Sequence, residues 1–187
     1  MRLVIAFIFQ VFMTSAQEIK SSILGFATSN TFTYFNVGDT FFINKVSDIN
    51  PQVLRFPGGT IGNFYHFGES GYGFDFNEIN EYHAGKFHKR AKGLERARKK
   101  NKHQHNYIDD FIELAKKTDA RAILVANPFL DDDDDIILMI QKLNNNNIEV
   151  IGVELGNELS NRNYFLKGYN IEDYILFSKR CSKKIKE

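Results

Sequence analysis

The chain alternates short apolar runs with longer amphipathic ones. ILGFA (Ile23 to Ala27), QVLRF (Gln52 to Phe56), AILVA (Ala122 to Ala126) and EVIGVEL (Glu149 to Leu155) are short, dominated by apolar side chains, and bounded by polar or turn-forming residues. They predict four strands. Between and after them lie segments with helical spacing: TFFINKVSDI (Thr40 to Ile49), stopped by Pro51; Tyr107 to Lys117; IILMIQKL, preceded by Asp131 to Asp135; and Ile171 to Lys184. In the second of these, Tyr107, Ile108, Phe111, Ile112, Leu114 and Ala115 fall on one face. Strands that alternate with helices predict βαβ units and a mainly parallel sheet. AILVA is apolar throughout, as a strand covered on both faces would be. Pro57-Gly58-Gly59 ends the second strand abruptly, and Thr60 to about Asn80 reads as a long aromatic and glycine-rich loop.

The polar exceptions to this pattern sit at one topological position. Arg55 is near the end of strand two, Asn127 just after strand three, and Asn157-Glu158 just after strand four. In a (β/α)8 barrel the C-terminal strand ends converge on one face, and the chemistry is found there. Three consecutive units placing functional groups at that position point to a barrel more strongly than any single motif.

Two segments carry a family resemblance. VLRFPGGTIGNFYHF (Val53 to Phe67) and GVELGNELS (Gly152 to Ser160) resemble clan A glycoside hydrolases, with echoes of the α-L-arabinofuranosidase-like and heparanase/β-glucuronidase-like families. Those enzymes have a strand-two segment of the type LR-x-PGG or LR-x-GG and a strand-four segment ending in Gly-Asn-Glu. The resemblance covers about Ile23 to Lys184 and implies an α/β fold, a (β/α)8 TIM barrel of which this chain holds the first four βα units. It implies Glu158 as general acid/base, Asn157 as the residue that bonds the sugar 2-hydroxyl, and Arg55 as the arginine beside the nucleophile. The nucleophile belongs to strand seven in this clan, which lies beyond strand four.

The residue chemistry agrees with that assignment. Retaining glycoside hydrolysis uses two carboxyl groups about 5–5.5 Å apart, one of them protonated to donate to the leaving oxygen. Partial burial and a neighbouring carboxylate raise a glutamate's pKa for that task. Asn157 offers a donor and an acceptor to a hydroxyl. Glu154, inside the strand, is expected to be structural or to support the site. Asn63, Phe64, Tyr65 and His66 form a polar and aromatic cluster just past strand two. Asn63, Tyr65 and His66, with Asn127, are candidate substrate contacts, and the absence of Trp leaves stacking on sugar rings to Tyr and Phe. A loop packed on its own aromatics is the plainer alternative for that cluster, a helix N-terminus for Glu158, and a salt bridge to some barrel carboxylate for Arg55. A carbohydrate-binding remnant without turnover is the second function class. A nucleotide-binding α/β protein is the third, although GGTIG does not open a helix as a dinucleotide fingerprint would.

Composition then narrows the setting. With 43% hydrophobic and 25% charged residues, the chain can form a core. A net charge of +1 gives no general reason to expect nucleic acid as a partner. Arg2, the apolar stretch Leu3 to Met13 and the small residues Thr14-Ser15-Ala16 form a signal-peptide pattern, with cleavage expected before Gln17. The mature chain, residues 17–187, is therefore expected to be secreted or periplasmic, with no membrane contact after cleavage. Cys181 is the sole cysteine, so no internal disulfide forms. Lys86 to Lys102 holds nine Lys or Arg and one Glu, a solvated face or a surface for an anionic polysaccharide. Asp131 to Asp135 lack the spacing of a calcium loop and suit a helix N-terminus. His103 and His105 have no metal spacing around them, and no metal or cofactor is expected. A full barrel takes about 250 residues. The chain is thus expected to be a truncated product or a fragment, poorly soluble or self-associating alone and with little activity of its own.

Overall fold

The computed structural model describes residues 24–28, 31–67, 73–83, 96, 107–130 and 133–187. The segment expected to be a leader and all of the basic segment except residue 96 lie outside them. Four strands, β1 (Gly25–Ala27), β2 (Val53–Phe56), β5 (Arg121–Val125) and β6 (Val150–Glu154), form one parallel sheet in the order β1-β2-β5-β6. All four correspond to the runs read as strands. The helices between them also fall where the spacing placed them: α2 (Thr40–Ile49), α4 (Ile108–Thr118), α5 (Asp134–Asn144) and α7 (Ile171–Lys186).

Local chemistry explains the helix boundaries. Asp39 caps α2 by accepting from the Phe41 N–H, and Asn50 closes it in the left-handed conformation. Asn170 and Asp173 form a reciprocal capping box on α7, whose last turn carries Lys183, Lys184 and Lys186. The aspartates at the start of α5 also have structural partners. Asp133 pairs with Arg180 at 2.7 Å, Asp134 pairs with Lys184, and Asp135 accepts from the Phe67 N–H at 2.7 Å.

The region read as a loop after β2 holds short elements. A 3-10 helix (Thr60–Phe64) leads into an antiparallel hairpin of β3 (Tyr65–His66) and β4 (Gly73–Phe74), followed by α3 (Phe76–Tyr82). Two further short helices, α1 (Thr31–Tyr34) and α6 (Arg162–Leu166), are also additions to the sequence pattern. These pieces are too short to show a period. They are held by tertiary packing: Phe64, Tyr82, Phe129 and Tyr164 form an aromatic cluster in which Tyr82 and Phe129 stack with centroids 4.3 Å apart, Tyr65 and Phe74 of the hairpin pack on each other, and Phe32 of α1 packs on Phe56. Such ring pairs add about 0.5–1.5 kcal/mol each beyond their buried area.

Side chains alternate across the sheet, and its two faces differ. Leu54, Phe56, Ala122 and Leu124 are at most 1% exposed and pack beneath the helices. There they meet Phe111 and Leu114 of α4, Met139 and Leu143 of α5, and Phe177 and Cys181 of α7 in one core. Arg55, Ile123, Gly152 and Glu154 stand on the other face, and all four are only partly buried. Every residue of β6 is partly exposed, and a cavity of about 360 Å³ runs along it between Ile140 and Ile185.

Candidate functional site

The site is built where β2 and β6 end. After Phe56, Gly58 and Gly59 adopt φ of 67° and 71°, a region that L side chains avoid. The chain can thereby turn at once into the 3-10 helix and lay Asn63 back over the strand ends. After Glu154 the strand stops at Gly156, with φ of 85°. That positive φ favours glycine, and a Cβ there would also press on the end of the Leu159 side chain at 2.6 Å.

Arg55 organises the half-buried face. Its Nε donates to Glu154 Oε1 at 2.8 Å and its Nη2 to Glu154 Oε2 at 2.6 Å, a two-point ion pair that spans β5. Nη2 also donates to Asn157 Oδ1 at 2.9 Å. The carboxylate beside Arg55 is therefore Glu154, the in-strand glutamate assigned a supporting place from its position. Arg55 and Asn157 come together as the strand-end pattern requires.

Asn63 is completely buried, and its amide is spent on protein. Oδ1 accepts from the Asn157 N–H at 2.6 Å, while Nδ2 donates to the Asn157 carbonyl at 2.6 Å and to Tyr164 Oη at 3.3 Å. Tyr164 is itself fully buried. Its phenol pKa is pushed up, by burial first, with the charge of Glu158 adding to the rise and the Asn63 bond opposing it. Glu158 is exposed and stands next to this lock with φ of 50°, an uncommon backbone for a non-glycine residue. Its Oε2 accepts from Thr60 Oγ1 at 3.4 Å and its carbonyl accepts from the Asn161 N–H at 3.0 Å. Glu158 is thus not a helix N-terminal residue. A cavity of about 370 Å³ opens beside it, walled by Leu155, Leu159, Phe165, Tyr169 and Tyr174.

No family model, curated protein or solved structure matches this chain. What the site can do is therefore argued from its own geometry. Arg55, Asn157, Glu158 and Asn63 converge, but the other candidate residues do not join them in the same way. Asn127 is 6% exposed; its Oδ1 accepts from the Phe129 N–H at 2.9 Å and its Nδ2 donates to the Tyr65 carbonyl at 3.2 Å. It shapes the turn after β5. Tyr65 is 1% exposed and packs edge-on to Phe56 and Phe74. Asn63, Tyr65 and Asn127 therefore present almost no surface to a sugar, which corrects their reading as direct contacts. Their polarity was visible in the sequence, but the backbone partners that consume it are long-range.

His66 is partly exposed and bonds Glu78 through Nε2 at 2.5 Å. That bond chiefly raises the His66 pKa, against the effect of burial, with further help from the charges of Glu78, Asp135 and Asp75. Thr60, Tyr164 and Glu78 bond to Glu158, Asn63 and His66 and were not singled out by the sequence. Thr60 lies within the PGGT turn and could have been suspected. The other two had no signal short of the fold. Among the described residues no group of three or more His, Cys, Asp or Glu side chains is placed to hold a metal. Among them, too, no helix is long and apolar enough to cross a membrane.

Proposed function

We propose that the half-buried face of this sheet is the catalytic wall of a sugar-cleaving (β/α)8 barrel, of which the chain supplies the first four βα units. Glu158 is its general acid/base in a retaining reaction on a poly- or oligosaccharide. The observation that carries this reading is the bond from Arg55 to Asn157, which ties the ends of the second and fourth sheet strands together directly beside Glu158. Active groups on a barrel gather at that end of the strands.

In the first step Glu158 gives its proton to the glycosidic oxygen as the bond to the anomeric carbon breaks and a carboxylate takes that carbon. In the second, Glu158 removes a proton from the water that releases the sugar. The carboxylate nucleophile is expected on the seventh strand of the full barrel. Asn157 keeps its side-chain N–H groups for the sugar 2-hydroxyl, since the Arg55 bond uses only its oxygen. The aromatic wall of the cavity beside Glu158 suits a sugar ring, because ring faces stack on Phe and Tyr. The substrate is met outside the cytoplasm if the leader directs export. An anionic glycan is the choice that the basic segment favours, and its binding would weaken as salt rises.

A second reading has one observation behind it. Both oxygens of Glu154 occupy the guanidinium that the resemblance gives to the nucleophile. A wall so closed would bind carbohydrate without turning it over. A panel of p-nitrophenyl glycosides, with isothermal titration of the matching oligosaccharides, separates the two using protein from the entire reading frame. Hydrolysis that Glu158→Gln lowers by about 100-fold or more supports the enzyme. Saccharide binding without hydrolysis supports the remnant, and neither binding nor hydrolysis overturns both.

A further inference from the structure

Asn63 does something that its place in a glycine-rich turn did not foretell. Its side-chain amide meets the main chain of Asn157 as a neighbouring strand would, accepting from the N–H and donating to the C=O, both at 2.6 Å. The partners are 94 residues apart in sequence, so no local turn preference makes this contact. The amide is fully buried, and its second N–H goes to Tyr164 Oη. Tyr164 is in turn fixed by ring contacts to Phe64, Phe129 and His83. One residue beyond the gripped peptide, Glu158 holds its left-handed backbone. Conformations of that kind are strained for a non-glycine residue and persist only where the surroundings over-determine them.

We infer that Asn63 is a positioning residue: it grips the peptide of Asn157 so that the Asn157 side chain reaches Arg55 and Glu158 stands at the cavity mouth, and it does not touch substrate. The inference rests on the glycosidase reading only for what Glu158 does once positioned. The grip itself depends on the direction of two hydrogen bonds, which makes it separable from packing. An aspartate at this position has nearly the shape of asparagine. Protonated, it still accepts from the Asn157 N–H and donates to the Asn157 C=O. Ionised, it is an acceptor only and faces that carbonyl oxygen with a negative charge. Asn63→Asp should therefore restore the grip at low pH and lose it at high pH, while the wild-type amide does not titrate. The charged and titratable groups around it are Tyr164 on α6, His83 after α3, Glu158, and the Arg55–Glu154 pair beyond Asn157. The wild-type protein measured over the same pH range accounts for their titration.

The experiment is backbone-amide hydrogen exchange at Asn157 by NMR, expressed as a protection factor, at pH 5 and pH 8. Relative to wild type, Asn63→Asp is expected to lose about tenfold or more of its protection at pH 8 and to recover most of it at pH 5, tenfold corresponding to roughly one neutral amide–carbonyl hydrogen bond, the one to the Asn157 C=O. Tyr164→Phe, which keeps the ring and removes only the hydroxyl, is expected to lose a smaller factor at both pH values and reports on the grip should Asn63→Asp fail to fold at pH 8. On p-nitrophenyl glycosides Asn63→Asp should lower kcat with the same pH dependence and leave KM near the wild-type value. Wild-type protection in both variants at pH 8 overturns the inference, and so does a raised KM with unchanged kcat, the signature of a substrate contact. If wild-type protein from the entire reading frame cleaves no glycoside, the proposed function fails, and the exchange data alone still decide what Asn63 holds.

Discussion

The two faces of the sheet solve different problems with neighbouring residues of the same strands. In β2, Leu54 and Phe56 point into the helix-covered core and are at most 1% exposed, while Arg55 between them points the other way and is tied to Glu154 and Asn157. In β5, Leu124 faces the core and Ile123 faces the half-open side. The closed face gains from removing apolar surface from water, about 1.5–3 kcal/mol for each large side chain fully buried. On the open face, charge is kept partly buried and satisfied, which adds little net stability and fixes geometry. Damage to the first should appear as lost stability, and damage to the second as lost function.

Phe56→Ala is the largest expected break of the closed face. Its ring meets Tyr65 and Phe111 at 5.0 Å, so truncation should cost about 3–5 kcal/mol in urea unfolding, a large part of a typical domain's total. A cost below about 1 kcal/mol would mean that the helix layer is not packed as described.

Arg55→Leu tests the open face. It leaves Glu154, whose side chain is 42% exposed, without its two-point partner. Solvent can screen that charge, so the stability loss should be only about 1–2 kcal/mol. Glycoside turnover and carbohydrate binding should both fall far more than that stability loss explains. A variant as active as wild type would remove Arg55 from the site.

Asp110 sharpens the contrast because it is a carboxyl on the closed side, 8% exposed on α4. Burial, aided by Glu113 and Asp109, pushes its pKa up to about 7 from 3.8. Between those values the unfolded chain has released a proton that the folded chain still holds, so stability falls as pH rises through that window. Asp110→Asn should raise the urea midpoint at pH 8 and gain little near pH 4. A gain independent of pH would contradict this account. His66 gives a pH slope of the same sign, from a favourable pair with Glu78 instead of a buried carboxyl, and the smallest effect. Its folded pKa is raised above 6.5, mainly by the Glu78 bond, so its stabilisation is full below that value and is lost as pH rises through the folded pKa. His66→Gln should therefore cost more at pH 5.5 than at pH 9, and an equal cost at both would count against the His66–Glu78 pair.

The same contrast explains what the sequence could and could not reveal. The closed face was legible, because AILVA and the Phe111-Ile112-Leu114-Ala115 pattern record burial in residue type. Arg55, Asn157 and Glu158 were legible as polar exceptions at strand ends. The roles of Asn63, Tyr65 and Asn127 were misread for a shared reason. Each spends polar atoms on, or packs against, segments distant in sequence, and residue type carries no mark of burial for Asn or Tyr. The hairpin and α3 escaped because two-residue strands and a seven-residue helix are shaped by tertiary aromatic contacts, Tyr65 on Phe74 in the one and Tyr82 on Phe129 in the other, not by periodicity. Tyr164, which steadies Asn63, lies on a five-residue helix that the pattern could not show.

The proposed function rests on whether Glu158 moves the proton in glycoside cleavage. The most direct test varies the leaving group: kcat/KM for wild type and Glu158→Gln on aryl glycosides whose phenols range from acidic to weakly acidic. Protonation is needed only by the poorer leaving groups. Glu158→Gln is expected to be nearly as fast as wild type in the glycosylation step on the most acidic phenol and to fall behind progressively, to about 100- to 10,000-fold on the least acidic. A deficit of the same size across the whole series would mean that Glu158 does not donate the proton, and the assignment of this site would fall with it.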